Sequence, residues 1–131
     1  MFTLDLSHTY RANVTVYIRD AEGAQQPHTF QADFLRMGPE AFRDYMAQVS
    51  ANGLDDRAVA AHVLQGWHGI ADDQGQPVAY SEGTKTALLG GVTGAATAIA
   101  RVWHESVMDD VRKNLLPPPS DGPAAPLTLV E

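Results

Sequence analysis

The sequence contains no cysteine, which excludes disulfide bonds, thiolate metal ligands and a thiol nucleophile. It also has few basic residues, because 9 Lys and Arg stand against 16 Asp and Glu, for a formal net charge of -7. The basic residues are scattered from Arg11 to Lys113 and form no cluster that could attract a phosphate backbone. We therefore expect no nucleic-acid partner.

Long apolar runs are missing as well. No stretch approaches the roughly 20 apolar residues of a membrane span. The N-terminal MFTLDLSHTYR lacks the basic segment and apolar run of a signal peptide. These absences predict a protein of the cytoplasm with no membrane partner.

The length of 131 residues fits one domain that can bury a stable core without disulfide bonds or structural metals. We place that domain at residues 1–116. Residues 117–131 include five prolines between Pro117 and Pro126. This composition predicts a stiff, disordered tail.

The N-terminal third has the alternation of β-strands. In NVTVYI, Val14, Val16 and Ile18 share one face, and in HTFQADF Phe30, Ala32 and Phe34 do the same. The intervening RDAEGAQQP, with Gly23 and Pro27, predicts an antiparallel hairpin with a long loop. FTLDL near the N terminus is a candidate third strand, with Phe2, Leu4 and Leu6 on one face.

The remainder is typical of helices, so the fold class is α+β, a hairpin followed by a small bundle of about four helices. The first helix opens at Gly38-Pro39 and ends at Asn52-Gly53. The second begins near Asp55-Asp56, carries Val59, Val63 and Trp67 on one stripe, and ends between Gly66 and Gly69. A short third helix is capped by Ser81 and runs through Leu89. The longest and last runs from about Gly94 to Asn114.

Four residues are candidate metal ligands: His62, His68, Asp72 and Asp73. A zinc site needs three or four ligands converging at about 2 Å, often from an H-x₃-H pair on one helix face. His62 and His68 are six residues apart and would lie on nearly opposite faces of a continuous helix. The spacing therefore predicts no metal and no cofactor, with Asp72 and Asp73 in a structural turn.

Other catalytic and ion-binding motifs fail on spacing too. A calcium loop counted from Asp72 would put Pro77 where Gly is needed and Gly83 where Glu is needed. No serine lies in G-x-S-x-G, and LGGVTGAAT lacks the Lys-Ser/Thr ending of a phosphate loop. We expect a protein without catalytic residues, and both tryptophans in packing roles.

The last helix has two apolar rows. One is an ordinary core stripe within about 80° of Ile99. The other, called the second row here, consists of Ala100, His104, Met108, Val111 and Leu115. Either the second row binds a protein partner or the hairpin covers it, and an apolar row alone does not decide between them.

The stretch VLQGWHGIADDQGQPVAYSEGTKTALL, together with the amphipathic AIARVWHESVMDDVRKN, resembles the tail assembly chaperones of long-tailed bacteriophages and prophages. The resemblance covers residues 13 to 114, including the order of a hairpin and then helices. Gly83 and the pair Gly90-Gly91 depart from the family pattern. The matching features are Gly66-Trp67, Gly69, Asp72 or Asp73, Gly75, Pro77 and Tyr80-Ser81.

The resemblance implies a non-enzymatic protein that keeps the tape measure protein soluble while major tail tube subunits polymerise around it. The implied partners are these two proteins, with a homo-oligomer as a further option. The implied location is the cytoplasm of the bacterial host, and not the finished virion. Many members exist in two lengths through a ribosomal frameshift, which would make residues 117 to 131 a linker or the end of the shorter product.

Two alternatives stay open at the level of sequence. The first is a structural tail-completion or connector subunit, which would be retained in the virion. The second is a small metal-dependent enzyme that uses His62 and the Asp72-Asp73 pair.

Overall fold

The N-terminal hairpin forms as its alternation predicts. The computed structural model describes Leu4 and residues 7–115, in which β1 (Thr9–Arg19) pairs antiparallel with β2 (Gln25–Leu35). The apolar positions of both strands face the core, with Val14 opposite Phe30 and Ala12 opposite Ala32.

The connection between the strands is shorter than the predicted long loop. It covers residues 20–24, and Asp20 Oδ1 accepts hydrogen bonds from the backbone N–H of Glu22 and Ala24. Pro27, predicted as a turn residue, lies inside β2 opposite Tyr17. Proline is tolerated there because β3, the strand described next, reaches only the opposite end of β2.

The third strand is not FTLDL. That stretch lies largely outside the described residues, and Leu4 is exposed without strand structure. The third strand is β3 (Leu64–His68), which pairs antiparallel with residues 31–34 of β2 and gives the order β1-β2-β3. The predicted second helix is therefore too long, since it stops at Val63 and passes directly into a strand.

A β-bulge explains why β3 has a helix-like pattern. The register between β2 and β3 shifts between Asp33 and Phe34, so that Leu64 faces Phe34 while Trp67 faces Ala32. The extra residue turns Leu64 and Trp67, three positions apart, to the same buried side. A spacing of three is the signature of a helix face, and the sequence alone could not reveal the bulge.

The helical part confirms the α+β class, with helices α1 (Pro39–Asn52), α2 (Asp56–Val63), α3 (Glu82–Gly91) and α4 (Ala95–Leu115). Gly53, with φ of 61°, ends α1, and the Asp55 side chain caps α2 by accepting from Ala58 N–H. Ser81 and Thr84 form a reciprocal capping box at the start of α3. The predicted Pro-rich tail, 117–131, lies outside the described residues.

The helices cover one face of the sheet. α4 packs against β1 and α2, and Ile99 and Trp103 of α4 are almost completely buried in the core cluster. The opposite face of the sheet is polar and open to solvent. In the described part of the chain, no helix has both the length and the apolar character needed to cross a membrane.

Candidate protein-binding groove

A largely apolar groove runs between the start of α1, the C-terminal half of α4 and the beginning of β1. Its volume is about 760 Å³. The groove forms because α4 continues two turns beyond the part of the helix that is covered by the core. Its apolar lining consists of Tyr10, Met37, Pro39, Phe42, Met46, Val107, Val111 and Leu115.

Two lining side chains are exposed although they are large and apolar. Val111 is 42% exposed and Leu115 is 78% exposed. Polar residues form the rim, with Arg36 and Arg43 from the region before and within α1, and Asp110 and Asn114 from α4. An apolar floor with a polar rim is the usual form of a site that binds an amphipathic helix.

Tyr10 holds one wall of the groove in place. Its hydroxyl lies 2.6 Å from Ser106 Oγ, which in turn donates to the carbonyl of Trp103 at 2.7 Å. The Arg36 guanidinium lies 5.5 Å from the centre of the Tyr10 ring. Burial raises the pKa of the Tyr10 hydroxyl, so the ring stays neutral and packs as an apolar wall.

The structure divides the second row of α4. Ala100 is buried in the core and does not line the groove. His104 is exposed beside Phe42 and Trp103, with ring centroids 6.2 Å from each, and Met108 is half-buried on another flank of the helix. Val111 and Leu115 line the groove, so only the end of the row belongs to it.

The candidate metal ligands are not brought together. His62 stacks on Tyr45, with ring centroids 4.4 Å apart and an interplanar angle of 15°, and burial raises the pKa of the Tyr45 hydroxyl. Asp72 Oδ1 accepts from the backbone N–H of Gln74 and Gln76, as a turn residue does. Among the described residues no group of three or more His, Cys, Asp or Glu is placed to hold a metal ion.

His68 lies on the open face of the sheet with two partners. Arg11 donates through Nη2 to His68 Nε2 at 2.8 Å and through Nε to Asp33 at 3.1 Å. The other oxygen of Asp33 lies 3.1 Å from the same His68 nitrogen. One ring nitrogen cannot accept from Arg11 and donate to Asp33 at once, so His68 Nε2 makes only one of these two hydrogen bonds at a time.

Residues 71–77 form a structural turn, as the sequence predicts, whereas Gly66, Trp67 and His68 before it belong to β3. The Trp67 indole N–H donates to the carbonyl of Val78 at 2.8 Å, and the Trp67 ring meets Tyr80 edge-on at 5.1 Å. Gly75, with φ of 78°, makes the bend, and Pro77 pairs with Ala71 across it. Trp67 therefore anchors this turn to the core.

Sequence reasoning missed two features. Met37 and Met46 line the groove from either side of Phe42, and no pattern in α1 distinguishes groove from core. Lys85, which is only 7% exposed, donates to the carbonyls of Ala61 and Leu64 at 2.8 and 3.2 Å. The sequence offers one signal for Lys85, namely a lysine within the apolar pattern of α3. The two carbonyls that accept its hydrogen bonds can be identified only from the fold.

Comparison with known proteins places the chain among prophage proteins. Residues 19–104 match a family model described as YdaY prophage protein. This match runs from the end of β1 to the middle of α4 and covers more than half of the chain, so the chain belongs to the YdaY prophage protein family. No curated protein and no solved structure matches it.

Proposed function

We propose that this prophage protein is a non-enzymatic tail assembly chaperone that binds the tape measure protein and helps to recruit tail tube subunits. The observation that carries the proposal is the groove, a large apolar surface with Val111 and Leu115 exposed in it. The resemblance of residues 13 to 114 to tail assembly chaperones supplies the class of partner.

The groove fits an amphipathic helix of the tape measure protein. The tape measure protein is a long helical chain whose apolar stripe would aggregate if it were left exposed. An apolar floor takes up such a stripe, while Arg36 and Arg43 at the rim favour acidic residues beside it. The net charge of -7 keeps a chain with an open apolar groove soluble.

The protein acts in the cytoplasm of the bacterial host under this proposal, and it leaves before the virion is complete. Release requires contacts that are individually weak and collectively sufficient. Several copies bound along one tape measure chain would meet that requirement, because linked weak sites bind together with high avidity.

The test is co-expression with the tape measure protein of the same genome. The expected result is that the tape measure protein stays soluble and carries several copies of the chain, with the stoichiometry measured by light scattering. Glutamate at both Val111 and Leu115 should abolish the association, because two charges would enter the apolar groove.

Lys113→Glu is the matched control. It changes the net charge by the same two units at an exposed position of α4 that lines neither this groove nor the flank beside Asn13. Retained binding by this variant locates the contact in the groove. A wild-type chain that never associates with the tape measure protein, and is instead retained in purified particles, would favour a tail-completion or connector subunit.

A further inference from the structure

β1 is an edge strand whose outer backbone groups face solvent. The hydrogen bonds from Arg36 N–H to His8 C=O and from Asp20 N–H to Ala24 C=O fix the phase of the β1–β2 ladder. In an antiparallel ladder bonded and non-bonded positions alternate, so the even-numbered residues of β1 bond to β2. The odd-numbered residues therefore direct N–H and C=O to the open edge: Thr9, Arg11, Asn13, Thr15, Tyr17 and Arg19.

β1 lacks most of the features that protect an edge strand, and its only charged residues are Arg11 and Arg19. The strand has 11 residues and contains neither proline nor lysine, and its register with β2 is continuous. Among the described residues, no backbone group outside β2 bonds to β1 between Tyr10 and Ile18. The opposite edge, β3, has five residues and a bulge, which are common protective features.

We propose that β1 pairs antiparallel with β1 of a second copy of this chain, across a twofold axis at Val14. The phase of the ladder requires odd-numbered residues to face odd-numbered residues. A centre at Val14 satisfies this and uses all 11 positions, from Thr9 opposite Arg19 of the partner subunit. A centre at Thr15 would instead place Arg11 opposite the partner subunit's Arg19, which like charges disfavour.

The side chains are self-complementary in this register. On the outer face Asn13 meets the partner's Thr15. Arg11, whose guanidinium bonds to Asp33 of its own chain, lies opposite the partner's uncharged Tyr17. On the inner face Ala12 meets the partner's Val16. The pairing also places Ile18, which is 37% exposed in one chain, beside the partner's Tyr10.

Space for the second strand exists beside α4. A surface groove of about 650 Å³ lies between Asn13 and the flank of α4 that carries Val102 and Met108. Inner-face side chains of the partner's β1 would cover these two half-buried residues. The surface shares only Tyr10 with the lining of the proposed tape measure groove, and this inference does not depend on the proposed function.

The test compares two double variants that share Thr15→Lys. Asn13→Asp with Thr15→Lys places opposite charges across the twofold axis, whereas Asn13→Lys with Thr15→Lys places like charges there. Both lose the Thr15–Thr29 hydroxyl contact of 2.8 Å, so they are matched. Within one chain, Glu105 and Asp109 lie near position 13 and would attract a lysine placed there. Effects inside one chain therefore favour the like-charged variant, whereas dimer formation should favour the oppositely charged variant.

Light scattering on the full-length chain gives the first readout. The wild type is expected at twice the 14.1 kDa of one chain. The dimer Kd of the like-charged variant should exceed that of the oppositely charged variant by about tenfold or more, because each charge pair occurs twice. A wild type that stays monomeric up to its solubility limit, or equal Kd values for two folded variants, would overturn the proposal.

Cysteine cross-linking tests the register, and the natural chain has no cysteine to interfere. Asn13→Cys in one chain would face Thr15→Cys in another at a bonded position, about 5.5 Å between Cα atoms, which is within reach of a disulfide. Both positions lie on the open face of the sheet, whereas the Val14 side chain at the axis is 0% exposed within one chain. Asn13→Cys alone would face the partner's Thr15 and should not cross-link. Equal cross-linking in the mixed sample and in the single variant, or none in a mixture that is dimeric, contradicts the Val14 axis.

Discussion

The two tryptophans are both buried but differ in how their indole N–H groups are satisfied. Trp67 donates to Val78 C=O at 2.8 Å, whereas Trp103 Nε1 is buried without a partner among the described residues. Trp103 is 1% exposed and Trp67 is 6% exposed, so the apolar burial of the two rings is alike. Their energetic roles can therefore be separated by removing the N–H.

Trp67→Phe should destabilise the fold more than Trp103→Phe. Both substitutions remove similar volume, but only Trp67→Phe breaks a hydrogen bond and leaves the Val78 carbonyl unpaired, at a cost of about 1–3 kcal/mol. Urea unfolding followed by circular dichroism gives the two free energies. Equal losses would mean that the Trp67 hydrogen bond contributes nothing to stability.

Removing the whole Trp67 ring should lower the stability more than removing its N–H group alone. Trp67→Ala should cost about 3–5 kcal/mol, as the loss of a buried aromatic side chain usually does. A Trp67→Ala variant that unfolds at the same urea concentration as the wild type would contradict its place in the core.

At the scale of elements, the junction of α2 and β3 depends on side chains from elsewhere in the chain. The Leu64 carbonyl accepts from Lys85 Nζ at 3.2 Å and from Tyr80 O–H at 3.0 Å, and Lys85 also reaches the Ala61 carbonyl. These groups satisfy carbonyls that the end of a helix leaves unpaired. The switch from helix to strand at Leu64 thus follows from tertiary contacts.

Lys85→Met should destabilise the protein by about 1–3 kcal/mol, because the Ala61 carbonyl loses its side-chain donor while the apolar volume is kept. Thermal unfolding measures the effect. Glu82→Gln is the control, since it removes the ion pair of Lys85 with a largely exposed carboxylate, and such pairs contribute little. The glutamine oxygen can still accept from the Tyr80 hydroxyl, which lies 3.4 Å from Glu82 Oε2. An equal loss in both variants would assign the effect to the ion pair.

The same junction shows how far the sequence predicts the fold. Val14, Phe30, Phe42 and Ser81 predict the hairpin, α1 and the start of α3, because their signals are local periodicity and caps. Leu64 and Trp67 mislead because the bulge in β3 reproduces a helical spacing. The second row of α4 predicts the groove only through Val111 and Leu115, since the loop before α1 that completes the groove carries no periodic signal.

At the scale of the whole molecule, the groove and the β1 edge are two surfaces that meet at Tyr10. A dimer formed through β1 would carry two grooves. Two grooves can bind one long helical partner at two places, and the second contact then forms at high effective concentration. The oligomer would thereby increase the affinity for a long chain without any new contact.

The like-charged variant, Asn13→Lys with Thr15→Lys, should accordingly bind the tape measure protein more weakly than wild type. Its affinity for a peptide that spans one groove should be unchanged, because the groove itself is intact. Titration calorimetry with the peptide, and pull-down with the long chain, separate the two effects. Equal weakening in both assays would show that the β1 variant damages the groove.

The direct passage from Val63 to Leu64 also has a consequence for motion. No residue between α2 and β3 is free to act as a hinge, because the helix and the strand share consecutive positions. A displacement of α2 is therefore transmitted to β2 through the β3 ladder. The amides of Val63 in α2 and of Gly66, which lies opposite Asp33 at a bonded position of the β3 ladder, should exchange with deuterium at the same slow rate, as parts of one unfolding unit.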